Sequence, residues 1–233
     1  MFLTFLPLYH DKGIRIPEHV EQENLFVCLQ NFVSGECYNE VLGYKNGKAA
    51  LRRLLGEALV GFALREYWNL PLGTYRIARG EKGKPFIVGR EDVFFNLSHS
   101  GEYVVCAVSD REIGVDIEKR AKARMEVAGR FFHEREVRVL TSLHGIKQDQ
   151  LFFNYWSVKE SYLKYTGMGL TRPLNSFFAM FVGERVSLYE GENELPVYVN
   201  SCPVDAGYAC YVCGEYDGLS GIREVAFEEI TCC

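Results

Sequence analysis

The chain has 233 residues, 48% hydrophobic and 24% charged, enough to bury a substantial core as one large domain or two small ones. A formal net charge of -5 at pH 7 argues against a general nucleic-acid binder, whose surface must be basic. No run of about 18 apolar residues is present, so no membrane-spanning helix is expected and the cytoplasm is the expected compartment. The charge is uneven. Residues 119–138 hold seven Lys/Arg against three Glu, whereas residues 183–233 hold ten acids against Arg185 and Arg223. Two oppositely charged solvated faces are the plain reading of that gradient.

In chain order, Phe2 to Leu8 is apolar without a basic leader or a small-residue cleavage site, so Leu3–Leu8 is expected as a first strand rather than a signal peptide. Leu25–Leu29 is expected as a second strand. Lys48–Trp68 is a predicted helix with Leu51, Leu54, Leu55, Ala58, Leu59 and Phe62 on one stripe. Lys45, Lys48 and Arg52, three and four apart, are neighbours on its polar side, where they meet either solvent or phosphate. Gly13, Gly35 and Asn46-Gly47 punctuate loops.

Tyr103–Ser109 and Ile113–Glu118, joined by Asp110-Arg111-Glu112, predict a hairpin. Met125–Leu143 predicts one helix and Phe152–Thr166 another, closed by Gly167 and Gly169. Short strands follow around Val182, Val186, Leu188, Val197, Val199, Tyr211 and Val212. Helices mixed with antiparallel strands point to an α+β fold rather than a doubly wound sheet. The eight cysteines are expected as thiols in a reducing compartment. Cys210 and Cys213 would be half of a zinc site only if they shared a face, and on a strand residues three apart do not.

Three constellations carry chemistry. On a strand, Ile113, Val115 and Ile117 share one face, and Gly114, Asp116 and Glu118 the other. Two carboxylates beside a glycine suit Mg²⁺, which takes one or two carboxylates plus phosphate oxygens and water, although an amphipathic strand has the same pattern. Trp156, Glu160 and Lys164, four apart, line one helical face and combine an indole, an acid and a base; Glu160 and Lys164 also suit a simple helix pair. Phe95-Asn96-Leu97-Ser98-His99-Ser100-Gly101 is a polar turn. Its adjacent Ser98 and His99 lack the geometry of a hydrolytic triad and suit phosphate contact better. Lys84 is held extended by Pro85.

The order of these segments is more specific than any one of them. Gly83-Lys84-Pro85-Phe86, the Phe95–Ser100 segment, Gly114–Glu118, Arg130-Phe131-Phe132 with Glu136, and Trp156-Ser157-x-Lys159-Glu160-Ser161-x-x-Lys164 together resemble the 4'-phosphopantetheinyl transferase superfamily in its single-chain, surfactin-synthetase-activating form. The likeness runs from Lys82 to Leu170, more loosely over Lys48 to Gly56, and the last sixty residues add little.

The resemblance implies a monomeric pseudo-dimer of two similar α+β halves with mainly antiparallel sheets, residues 1–112 and 113–233, and coenzyme A bound between them. The second half would carry the metal-binding carboxylates. By position, Asp116, Glu118 and Glu160 would hold Mg²⁺, with Asp116, Glu160 and Lys164 catalytic. Lys84, Ser98, His99 and Lys164 would contact the phosphates, Arg53 the nucleotide, and Arg79 and Asn96 other parts of coenzyme A. Cys37 and Glu40 stand where some members have lysines, with Lys45 and Lys48 as nearby substitutes. The implied reaction transfers phosphopantetheine to an acyl or peptidyl carrier protein. The rival readings are a Mg²⁺-dependent coenzyme A or nucleotide pyrophosphate hydrolase and a non-catalytic binding module.

Overall fold

Two long helices, each laid across a sheet, organise the chain in this computed structural model, which describes residues 1–7 and 22–231. Leu8, Gly13 and the terminal Cys232-Cys233 lie outside the described residues. The elements are β1 (Phe2–Pro7), α1 (Gln22–Leu29), α2 (Gly35–Leu42), α3 (Gly47–Trp68), β2 (Ile77–Arg79), β3 (Pro85–Ile87), β4 (Phe94–Ser100), β5 (Tyr103–Ser109), β6 (Ile113–Lys119), α4 (Met125–Phe131), α5 (Glu134–Thr141) and α6 (Ile146–Thr166). They continue with β7 (Phe178–Val182), β8 (Arg185–Glu190), β9 (Asn193–Glu194), β10 (Tyr198–Ser201), β11 (Tyr208–Gly214), β12 (Gly221–Glu224) and α7 (Phe227–Thr231). The fold is α+β, as expected.

The first sheet runs β12-β1-β5-β4 and the second β6-β11-β10-β8-β7, with β9 on β8 and a separate β2-β3 pair. All pairings are antiparallel except β1 with β12, so the end of the chain returns to the first sheet. Asn46 starts α3 by accepting from the Ala49 N–H, and Asn69 ends it in the left-handed conformation.

Alternation then builds the layers. Val104, Cys106 and Val108 of β5 face α3, whose Leu54, Leu55 and Leu59 are fully buried. Val105 and Ala107 face the other way, onto Ile113, Val115 and Ile117 of β6 and Cys210 and Val212 of β11. Beyond that sheet, Ala209, Tyr211 and Cys213 pack against Tyr155, Val158 and Tyr162 of α6. The result is an α–β–β–α stack whose central apolar layer joins the two sheets.

Four local expectations change. Residues 95–100 are not a turn but lie in strand β4, paired along their length with β5. Residues 25–29 are helical, not a strand, and Phe26 and Leu29, one helical turn apart, both meet the first core. β5 and β6 are strands but not a hairpin: β5 already has β1 and β4 on its two edges, so β6 pairs with β11 instead. The expected helix over 125–143 is two. His133 caps α5 by accepting from the Arg135 N–H, while Glu136 reaches back to the His133 N–H, so the chain breaks there for a capping box.

Candidate active site

β4 and β6 belong to different sheets, yet they are joined along their length by side chains. The N–H groups of Val115, Ile117 and Lys119 donate to Asn96 Oδ1 (2.9 Å), Ser98 Oγ (3.3 Å) and Ser100 Oγ (3.0 Å). The period-two spacing on each strand makes this possible, and it satisfies an edge that would otherwise be buried without partners. The same hydroxyls then donate to the acids of β6: Ser98 to Asp116 Oδ1 at 2.9 Å and Ser100 to Glu118 Oε2 at 3.0 Å.

α6 lies on this strand at Gly114. A Cβ there would fall 2.2 Å from Ser161 O and from Tyr165 N, so only glycine admits the helix backbone. Ser157 Oγ donates to Asp116 O at 2.9 Å and pins the crossing. Lys164 is thereby delivered to Asp116, its Nζ 2.7 Å from Oδ1, 2.9 Å from Ser98 Oγ and 3.1 Å from Val115 O. The second oxygen, Asp116 Oδ2, is buried and has no hydrogen-bond partner among the described residues. Burial, and then the charge of Asp116, push the Glu118 carboxyl up to about 7 and raise that of Glu160.

Asp116, Glu118 and Lys164 form one end of a cleft of about 530 Å³ lined by α3, β4, β6 and α6. Asn96 and Ser98 form its floor, and Arg52, Arg53 and Arg79 line its cationic wall, with His99 beside them. His99 is held below its ordinary pKa by desolvation and by Arg52. A smaller hollow of about 290 Å³ shares Arg53 and Arg79 and adds Arg76. A larger one, about 1220 Å³, opens along β8 and β10, but its Arg185 and Glu194 are already paired and it gathers no cluster of reactive groups.

Most of the expected residues therefore share the cleft, but Glu160 is not among those that line it; the charge of Asp116 is felt at its carboxyl. Lys84 does not line it: its ammonium is held by Glu112, Ile113 O and Tyr165 O, and burial lowers its pKa. Arg53 lines the cleft but is clamped by Glu40 (3.1 Å) and Glu57 (2.9 Å). Arg79 donates to Gly83 O at 3.2 Å. Trp156 packs among Phe131, Phe132 and Phe152 instead of walling the site. Glu136 and Lys159 form a fully buried ion pair at 2.9 Å, away from the cleft. Cys210 and Cys213 face opposite layers, and among the described residues no three His, Cys, Asp or Glu side chains form a ready-made metal cluster.

Arg52 is the residue that reading the sequence undervalued. It anchors on Gly101 O at 2.9 Å and reaches the cleft beside His99. Its signal is its place four residues after Lys48, on the polar face that meets either solvent or phosphate.

Comparisons with known proteins identify the family. A model of the 4'-phosphopantetheinyl transferase superfamily matches residues 112–213, and one of the 4'-phosphopantetheinyl transferase N-terminal region matches residues 20–111. The chain is 34% identical to the 4'-phosphopantetheinyl transferase gsp of Aneurinibacillus migulanus, over 90% of this chain and 87% of that protein. It is 35% identical to the 4'-phosphopantetheinyl transferase Sfp of Bacillus subtilis, over 87% of this chain and 91% of its relative. To the 4'-phosphopantetheinyl transferase ffp of Bacillus subtilis it is 37% identical, over 79% and 83%. On these matches, which together span most of its length, the chain belongs to the 4'-phosphopantetheinyl transferase superfamily and is an enzyme of that type.

Proposed function

We propose that the enzyme binds coenzyme A in the cleft between residues 1–112 and 113–233 and transfers its 4'-phosphopantetheine group to a serine of an apo acyl or peptidyl carrier protein, releasing 3',5'-ADP. The observation that carries this reading is one cleft with an acid end and a cationic wall, which suits a polyphosphate ligand spanning both.

The acid end fits a hard divalent cation. Its donors are oxygens, Asp116 Oδ2 is buried and without a hydrogen-bond partner among the described residues, and the carboxyls of Glu118 and Glu160 are raised by burial and by the charge of Asp116, so a cation placed there would favour their ionised forms. Asp116, Glu118 and Glu160 would hold Mg²⁺, which when bound supplies charge neutralisation for the pyrophosphate. Arg52, Arg79 and His99 orient the nucleotide's phosphates, while Arg53 is restrained by its two acids. Lys164 offsets charge developing on the departing phosphate. Glu160, with its raised pKa, is the proton acceptor for the incoming serine hydroxyl. Ser98 and Ser100 keep the two β6 carboxylates in register throughout.

For the carrier, residues 119–138 offer positive charge, but not uniformly. Arg120 is spent on Tyr208 O and Gln150 O, and Lys119 is paired with Glu102, whereas Lys122 and Arg124 are exposed. Those two are the docking cations, in a cytoplasmic, monomeric enzyme. Among the described residues no helix is long and apolar enough to cross a membrane.

Intact-mass spectrometry of an apo-carrier incubated with the protein, coenzyme A and Mg²⁺ tests the reading. The expected product is carrier heavier by one phosphopantetheine, lost on Asp116→Ala. Phosphopantetheine released only into solution would instead make the enzyme a hydrolase.

A further inference from the structure

Lys164 spends its whole ammonium on the acid end. Its three acceptors are Asp116 Oδ1, Ser98 Oγ and Val115 O, all on the β4–β6 seam, yet the side chain remains 28% exposed and lines the cleft. A divalent cation arriving at Asp116 would meet that ammonium on the same carboxylate, and like charges so placed repel. A phosphate arriving alone would face Asp116 and Glu118 with Lys164 already engaged. Each ligand carries the charge that the other needs.

We propose that Lys164 couples the two binding events: it serves as the resident cation of Asp116 until a substrate phosphate takes the ammonium over, and that transfer opens Asp116 to the metal. This rests on the reading of the cleft as a site for a phosphate-bearing coenzyme. The metal and coenzyme A therefore bind cooperatively, and linkage requires each to tighten the other by the same factor. Cation binding is weak without the coenzyme because Lys164 already holds the same carboxylate. The unpartnered Oδ2 is the foothold from which the ion displaces it.

Mn²⁺, followed by electron paramagnetic resonance of the free ion, tests this on the whole chain with and without coenzyme A, after subtracting Mn²⁺ bound by coenzyme A alone. Wild type should bind Mn²⁺ at least about tenfold more tightly with coenzyme A than without, and the coenzyme's own dissociation constant should fall by that factor when Mn²⁺ is present. Lys164→Met keeps an unbranched stem without the charge. It should bind Mn²⁺ alone about tenfold more tightly than wild type, with the coupling reduced to about threefold or less. Lys164→Arg, which retains the charge, should restore weak binding of the ion alone. Mn²⁺ affinity that is unchanged or weakened in folded Lys164→Met, or coupling that survives it, overturns the inference. If Asp116→Asn leaves wild-type Mn²⁺ binding intact with coenzyme A present, the reading of the site fails and takes the inference with it.

Discussion

Helix α6 carries two lysines five residues apart, each in an ion pair, and the pairs behave as opposites. Lys159 is fully buried; its ammonium reaches Glu136 (2.9 Å), Leu174 O (2.8 Å) and Phe177 O (2.6 Å). Glu136 is equally complete, accepting from the Ala179 and His133 N–H groups with its two oxygens. Asp116 and Lys164 have the same chemistry, but one carboxylate oxygen is left without a partner and the lysine keeps access to the cleft. A polar network with every valence filled holds structure, here fastening α5, α6 and the segment before β7. One with a valence open is placed to take a ligand.

The contrast is broken most severely by substitution at each pair. Lys159→Met leaves Glu136 buried without its cation and should cost about 3–5 kcal/mol in urea unfolding. Lys164→Met and Asp116→Ala should lower carrier modification at least about a hundredfold and cost less in urea unfolding than Lys159→Met, because Lys164 is 28% exposed and water reaches its side of the pair. Equal stability losses at the two lysines would erase the distinction.

A pH series sharpens it. The folded pKa of Glu118 is about 7 against an ordinary 4.5, so protonation favours the folded state. That contribution is full below pH 4.5 and is lost as pH rises through about 7. Without divalent cation, wild type should therefore lose resistance to urea relative to Glu118→Gln across this window. His99, shifted down, acts in the opposite direction in both proteins and cancels in the difference. Parallel stability curves for the two proteins would show that the open end carries no such strain.

The smallest effect concerns the rim. Lys122→Glu with Arg124→Glu should raise the KM for the carrier severalfold at low salt and leave that for coenzyme A unmoved, because exposed charges act mainly on encounter. Arg120→Glu should instead destabilise the fold, since its guanidinium ties β11 to α6. Unaltered carrier kinetics in the double variant would remove Lys122 and Arg124 from the docking surface.

What could be read in advance follows the range of the interaction. Asp116 and Glu118 on one face, and Glu160 above Lys164 on one stripe, are consequences of local periodicity, and both hold in the folded chain. So does the separation of Cys210 from Cys213. Pairing is not local: the hairpin signal at Asp110-Arg111-Glu112 could not register that β1 would occupy the free edge of β5. Nor does a sequence reveal which charges are spent. Lys84, Arg53 and Arg120 are cations like any other until Glu112, the Glu40–Glu57 clamp and the Tyr208 carbonyl are set beside them. Glu136 falls in the stretch that reads as a solvated face, and no local pattern pairs it with Lys159, 23 residues on.

The seam between β4 and β6 also bears on solubility. β6 ends its sheet, and an edge with free N–H groups invites a strand from another molecule. Asn96, Ser98 and Ser100 occupy those groups, so the edge is closed by the first sheet's side chains rather than by a further strand. Cutting the chain near residue 112 to obtain the second half alone would uncover that edge together with the apolar face of Ile113, Val115 and Ile117. Such a fragment is expected to associate through β6, and Ser98→Val would be a first step toward the same fate in the intact enzyme.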